Sequence, residues 1–308
     1  MSLASKIRYH SQLKAYFKKI EDFLADGYYT VSDKEIKKIN KSNSSVLYRF
    51  RVSSKNPKLA SYSGGSLFFT KYKSGLLAED KAFYFINKKD RYDLYKRNYD
   101  LYKNQLTYPA ISLDFFDDRL LVVAPMVKGL LIKDCSRFDI FLDALFDFAS
   151  KSQFEMRNSL IDSSSFKLPW YAQHGDCKNA NIIWDEKGDG FTMIDLEAID
   201  MYPPLYDVFY YLFITKKDES ISVLNSDSFK KRVVNFYSKV MDSVPNNIVD
   251  ITLANYAYFT ASKLTKGAEL YEFEFYLFWR KYDSFDKYSI TQKVLRDYEN
   301  KLKEYKIK

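Results

Sequence analysis

The chain has 308 residues, 46% of them apolar, with 48 Lys and Arg against 40 Asp and Glu for a net charge of +8. Nine glycines and seven prolines exclude collagen-like and low-complexity chains, and no apolar run approaches the roughly 18 residues of a membrane span. The basic residues are mostly lysines spread through the chain rather than a dense block, so nucleic acid is not an expected partner.

In chain order, Leu13, Phe17, Ile20 and Leu24 repeat at helical spacing and predict an amphipathic helix over 7–24. From 35 to 72 the period falls to two, predicting strands at 35–39, 46–52 and 67–72. The segment 82–87 reads equally as a short helix or a strand, and 91–106 reads as a helix. Two strand-like runs follow at 110–115 and 119–126. Phe138, Phe141, Leu142, Leu145 and Phe146 then form one apolar stripe, and helical periodicity fills 227–306. A strand-rich first third, a short crossover near Lys128-Gly129 and a helix-rich remainder predict two lobes with a cleft between them. Cys135 and Cys177 make no metal pattern and no disulfide framework, and the N-terminus lacks a signal-peptide apolar core, so the expected location is the cytoplasm.

The chemistry concentrates in His174-Gly175-Asp176-Cys177-Lys178-Asn179-Ala180-Asn181. A short strand at 182–184, a polar turn and a second strand at 191–194 follow, and Asp195-Leu196-Glu197 comes next. Such a hairpin puts Asp176, Asn181 and Asp195 at one mouth. Two carboxylates and an amide oxygen suit a hard, oxygen-seeking cation such as Mg²⁺.

His-Gly-Asp-x-x-x-x-Asn, with Ile-Asp-x-Glu placing its aspartate nineteen residues after Asp176, resembles the aminoglycoside phosphotransferase and choline kinase family, relatives of protein kinases. Pro203-Pro204-Leu205-Tyr206-Asp207-Val208 is similar to the family's segment after the metal acid, where an aspartate braces the catalytic loop. The resemblance implies an α+β, bilobal protein-kinase-like fold with a small antiparallel-sheet N-lobe and a larger helical C-lobe. Along the chain this means an N-terminal helical segment at 1–29, a nucleotide-binding lobe at 30–127 and a catalytic and substrate-binding lobe at 128–308. It further implies ATP and Mg²⁺ as cofactors. By the same resemblance Asp176 accepts or orients the acceptor hydroxyl proton, and Lys178 neutralises the moving phosphoryl group. Asn181 and Asp195 ligate the metal, Glu197 supports a second ion, and His174 packs under the loop.

On the nucleotide side, the segment 41–50 resembles the family's phosphate-covering hairpin, with Ser44 and Ser45 where glycines are usual. Lys71 is the expected phosphate-binding strand lysine, with Lys88 its rival. Asp100 is its expected acidic partner, with Glu79 the fallback. The run 121–129 resembles the strand and hinge bordering adenine; Pro125 has only a carbonyl to offer there, while Val127 has both backbone groups. The mixed acidic and aromatic segment 269–279 reads either as a wall for a cationic substrate or as core. The expected reaction moves the γ-phosphoryl group of ATP to a hydroxyl of a small molecule, whether amino alcohol, sugar or aminoglycoside. An inactive nucleotide-binding or scaffold descendant is the alternative. A protein kinase is disfavoured because only eleven residues separate Asp195 from Asp207.

Overall fold

The computed structural model describes residues 28–31, 36–39, 67–69, 73–77, 81–105, 109–131, 136–161, 166–185, 190–265 and 288–306. The expected helix at 7–24, the strand at 46–52, Ser44, Ser45, Lys71, Glu79, Cys135 and the segment 269–279 lie outside them. The fold is α+β, and the chain divides into two compact units: Met1–Arg97 with Ala110–Gly129, and Asn98–Pro109 with Leu130–Lys308.

The first unit is built on antiparallel strands. Strands β1 (Tyr28–Val31) and β2 (Ile36–Ile39) form a hairpin. A five-stranded antiparallel sheet follows, built from β3 (Leu67–Phe69), β4 (Lys73–Leu77), β5 (Lys81–Ile86), β6 (Asp114–Phe116) and β7 (Leu121–Pro125), in the order β3-β4-β5-β7-β6. The ambiguous segment at 82–87 is thus the central strand β5. Its Phe83 and Phe85 are fully buried, which a short exposed helix would not achieve. The run read as a strand from 110 joins the five-stranded sheet only from Asp114, and Ile111 and Leu113 are buried in the chain that leads to it. Helix α1 (Lys89–Gln105) leaves β5, and the division between units falls within it, after Arg97. In the first unit, Tyr92 and Tyr95 pack edge-on against Phe115 at 5.7 Å. The Tyr92 hydroxyl and the Lys96 ammonium both bind Asp117, tying α1 to the β6–β7 turn.

The second unit is mostly helical: α2 (Phe138–Lys151), α3 (Tyr206–Lys216), α4 (Ser220–Asn225), α5 (Asp227–Val240), α6 (Ile248–Thr265) and α7 (Ser289–Lys306). The stripe read for α2 is its buried face, with Ala149 added. Helix α3 is the core element, since Tyr206 through Phe213 are all buried. Phe138 of α2 stacks on Tyr211 and Phe141 meets it edge-on, and Tyr256 of α6 packs on Tyr206, Phe209 and Phe213. Each such aromatic pair adds about 0.5–1.5 kcal/mol to what burial alone supplies.

This unit also carries strands that the helical reading did not anticipate. Strands β8 (Glu155–Asn158), β9 (Lys167–Gln173) and β12 (Asp200–Tyr202) form an antiparallel sheet with β9 in the middle. Strand β9 ends where the chemistry begins. Strands β10 (Ile182–Trp184) and β11 (Phe191–Met193) form the expected hairpin, paired Ile182 to Met193. Among the described residues, no helix is long and apolar enough to cross a membrane.

Candidate active site

The loop after β9 is suspended from α3. Asp207, in the first turn of that helix and 1% exposed, accepts hydrogen bonds from the backbone N–H groups of His174 at 2.7 Å and Gly175 at 2.9 Å. Its own N–H donates to the buried Gln173 side chain at 3.0 Å. Gly175 has φ +79°, and a Cβ there would overlap the Tyr202 hydroxyl, so only glycine fits beneath this loop. His174 is buried and bridges two segments: its Nδ1 accepts from the Asp176 N–H at 3.3 Å. Its Nε2 lies 2.8 Å from the Ile194 carbonyl, which can only accept, so Nε2 carries the proton.

This scaffold presents Asp176 as a partly buried carboxylate. Its Oδ2 accepts from the Lys178 ammonium and from the Asn181 amide at 3.0 Å, and its Oδ1 accepts from the Tyr210 hydroxyl at 2.8 Å. Lys178 and Asp176 are only 22% and 25% exposed, so their contact is poorly screened. Asn181 is the last residue of the short turn Asn179–Asn181, and its amide also donates to the Asp176 carbonyl at 2.9 Å. Because the Asn181 amide hydrogens point to Asp176, its Oδ1 is the atom left to face a cation.

Asp195 stands at the same end of the hairpin. The Ile194 N–H donates to the Asn181 carbonyl at 2.9 Å, extending the β10–β11 ladder by one step, and Asp195 is the next residue. Its backbone is left-handed, φ +63° and ψ +55°, a conformation aspartate tolerates better than most residues and one that clusters at functional sites. Glu197 lies in the following turn, Leu196–Ala198, with its side chain exposed. Among the described residues, no three His, Cys, Asp or Glu side chains cluster as a metal cage. The donor set at the hairpin mouth is instead one carboxylate and one amide oxygen, which fits Mg²⁺. That ion keeps several waters and takes its remaining oxygens from phosphate.

The first unit places its candidates more sparsely. Lys88 is exposed between β5 and α1, and Pro125 ends β7 opposite Lys81 with its side chain exposed. Val127 is half-buried in the following segment. Asp100 sits on the exposed face of α1, in the half belonging to the second unit. The buried polar residue there is Asn98, whose amide donates to the Glu197 carbonyl at 3.0 Å.

Asn98, Gln173, Tyr210 and Tyr211 were not read as site residues from the sequence. Tyr211 donates to the Asn179 side chain at 3.0 Å, so two adjacent tyrosines of α3 grip the loop at two points. The usable signal was helical spacing, since positions 210 and 211 lie one turn beyond Asp207.

Cys177, inside this loop, is buried outright, and that burial, with the charges of Asp207 and Asp176 adding to it, pushes its thiol well above the usual cysteine range. Only the thiolate alkylates, so Cys177 should resist iodoacetamide in the native protein and label fully in denaturant. Mapping the label by mass spectrometry checks this; native labelling would mean the loop opens readily.

Against known proteins, residues 143–237 match the sequence profile of the phosphotransferase enzyme family, as the motif resemblance implied. Among solved structures, the chain is similar to a choline/ethanolamine kinase family protein from Mesorhizobium loti, at 14% identity and TM-score 0.38 over 80% of this chain and 90% of that one. It is likewise similar to aminoglycoside phosphotransferase APH(2'')-Ib, at 13% identity and TM-score 0.44 over 76% and 92%. The macrolide 2'-phosphotransferase type I matches at 13% identity and TM-score 0.40 over 68% and 88%. No curated protein sequence matches the chain.

Proposed function

We propose that the chain is an ATP- and Mg²⁺-dependent kinase acting on a hydroxyl of a small molecule. The observation carrying this reading is the Asp176 carboxylate. It is held by Lys178, Asn181 and Tyr210, on a loop slung from buried Asp207, inside the segment that matches the phosphotransferase family. In the reaction the acceptor oxygen bonds to the γ-phosphorus as the bond to the β-phosphate oxygen breaks, releasing ADP, and the hydroxyl proton passes to Asp176. Phosphoryl transfer is loose, so orientation of the hydroxyl counts for more than basicity. Lys178 places a positive charge beside the carboxylate, where it meets the transferring group. Asn181 and Asp195 would hold Mg²⁺, which when bound offsets phosphate charge. Lys71, Ser44, Ser45, Pro125 and Val127 are the proposed nucleotide contacts, with Lys88 the alternative to Lys71 and Asp100 the proposed acidic partner of the lysine.

The test is ADP release from Mg-ATP in the presence of choline, ethanolamine, hexoses, heptoses and aminoglycosides. At least one acceptor should raise release tenfold or more over the rate with water alone, and EDTA should abolish it. No stimulation by any acceptor class, together with no Mg²⁺-dependent binding of a fluorescent ADP, would leave a scaffold descendant as the reading.

A further inference from the structure

Tyr210 has no part in the motif that carries the proposed reaction, yet its hydroxyl touches the carboxylate at the centre of it. A carboxylate has four lone pairs. Oδ2 of Asp176 meets two donors, Lys178 and Asn181, whereas Oδ1 meets one among the described residues, Tyr210. With both other donors on Oδ2, the carboxylate would still be free to pivot about that atom, since the terminal torsion of aspartate is broad. The second anchor removes this freedom.

The anchor is itself rigid. The Tyr210 ring stacks on Tyr206 at 6.0 Å and 22°, and Tyr206 stacks on Tyr202 at 4.4 Å and 25°. At the far end of this column, the Tyr202 hydroxyl donates to the Ala198 carbonyl at 2.6 Å. A hydroxyl on the end of a packed column costs little further ordering to hold in place. Burial first, and the Asp176 charge second, raise the Tyr210 hydroxyl far above the ordinary tyrosine range, so it stays an O–H donor at any working pH.

We propose that Tyr210 is a positioning residue: its bond to Oδ1 fixes the rotation of the Asp176 carboxylate and leaves the second lone pair of Oδ1 as the direction from which the acceptor hydroxyl is taken. This rests on the phosphotransferase reading and adds to it which oxygen faces the acceptor and what aims it. A carboxylate misaimed by about 1 Å forfeits on the order of 10²-fold in rate.

The experiment uses the full-length chain and Mg-ATP labelled at the γ-phosphate, with water as acceptor or any acceptor found by the screen. Tyr210→Phe should lower kcat 10- to 100-fold while KM for ATP and the affinity for fluorescent ADP stay within twofold of wild type. In an Asp176→Asn background the same change should lower kcat less than twofold, because Tyr210 acts through the carboxylate. A merely structural tyrosine would lower both backgrounds by the same factor, and that outcome overturns the inference. So does a Tyr210→Phe single variant with wild-type kcat, which leaves the kinase reading standing. A wild-type chain that neither binds nucleotide nor turns over removes the kinase reading and this inference with it.

Discussion

Asp176→Asn should lower kcat by about 10³-fold and leave the fold intact. The variant is chosen because its hydrogen bonds survive. Oδ2 faces two donors, Lys178 and Asn181, so the new amide places its oxygen there. Its NH₂ then takes the Oδ1 position and meets the Tyr210 hydroxyl, which accepts as readily as it donates. Lys178 and Asn181 keep their acceptor oxygen and only the Tyr210 O–H hydrogen loses one, so the thermal midpoint should fall by no more than about 4 °C. What changes is the atom presented to the acceptor: a donor N–H stands where a lone pair stood. Proton acceptance and orientation by such a group are worth 10²–10⁴-fold, so a 10³-fold loss corresponds to about 4 kcal/mol of transition-state stabilisation. Steady-state ADP release beside a melting curve measures both halves. Full activity in a folded Asp176→Asn protein would move the chemistry to another residue.

The parts of the site legible in the sequence were those whose signal is local. Two short apolar runs around a polar turn gave the β10–β11 hairpin, because pairing across a turn depends on residues a few positions apart. The stripe from Phe138 to Phe146 gave α2 and all of its buried face but Ala149 for the same reason. The His-Gly-Asp-x-x-x-x-Asn spacing named Asp176 and Asn181, and the structure joins their side chains directly.

Strand β9 was missed because the pattern that marks a strand is absent. Paired on both sides and buried from Leu168 to Gln173, it shows no alternation, and Pro169 argues against a central strand. The contacts of Tyr210 and Tyr211 span more than thirty residues, so helical spacing puts them on the Asp207 side of α3 but does not tell what they touch. Asp100 shows a different difficulty. Charge chemistry suggested it, but Tyr92, Tyr95 and Tyr99 set the buried face of α1, and Asn98 rather than Asp100 shares that side.

Asp207→Ala should be the most destabilising single change near the site, at about 3–5 kcal/mol. Two backbone N–H groups, those of His174 and Gly175, end on its carboxylate, and a bond to a charged acceptor is worth about 1.5–3 kcal/mol. Alanine removes both acceptors at a position that is 1% exposed, where water cannot replace them without opening the core. The carboxylate also lies in the first turn of α3, where negative charge is favoured by the helix dipole, so that contribution goes too. Asp207→Asn is the informative companion. Its amide oxygen satisfies one N–H while its NH₂ confronts the other, so it should cost nearly as much despite matching in shape. For a unit of this size the alanine change corresponds to a fall of about 10 °C in thermal midpoint, measurable by calorimetry. Activity should fall alongside stability even at temperatures where the variant stays folded, because the loop bearing Asp176 hangs from these two bonds. A variant that melts within 2 °C of wild type would mean the loop is held by Gln173 and His174 instead.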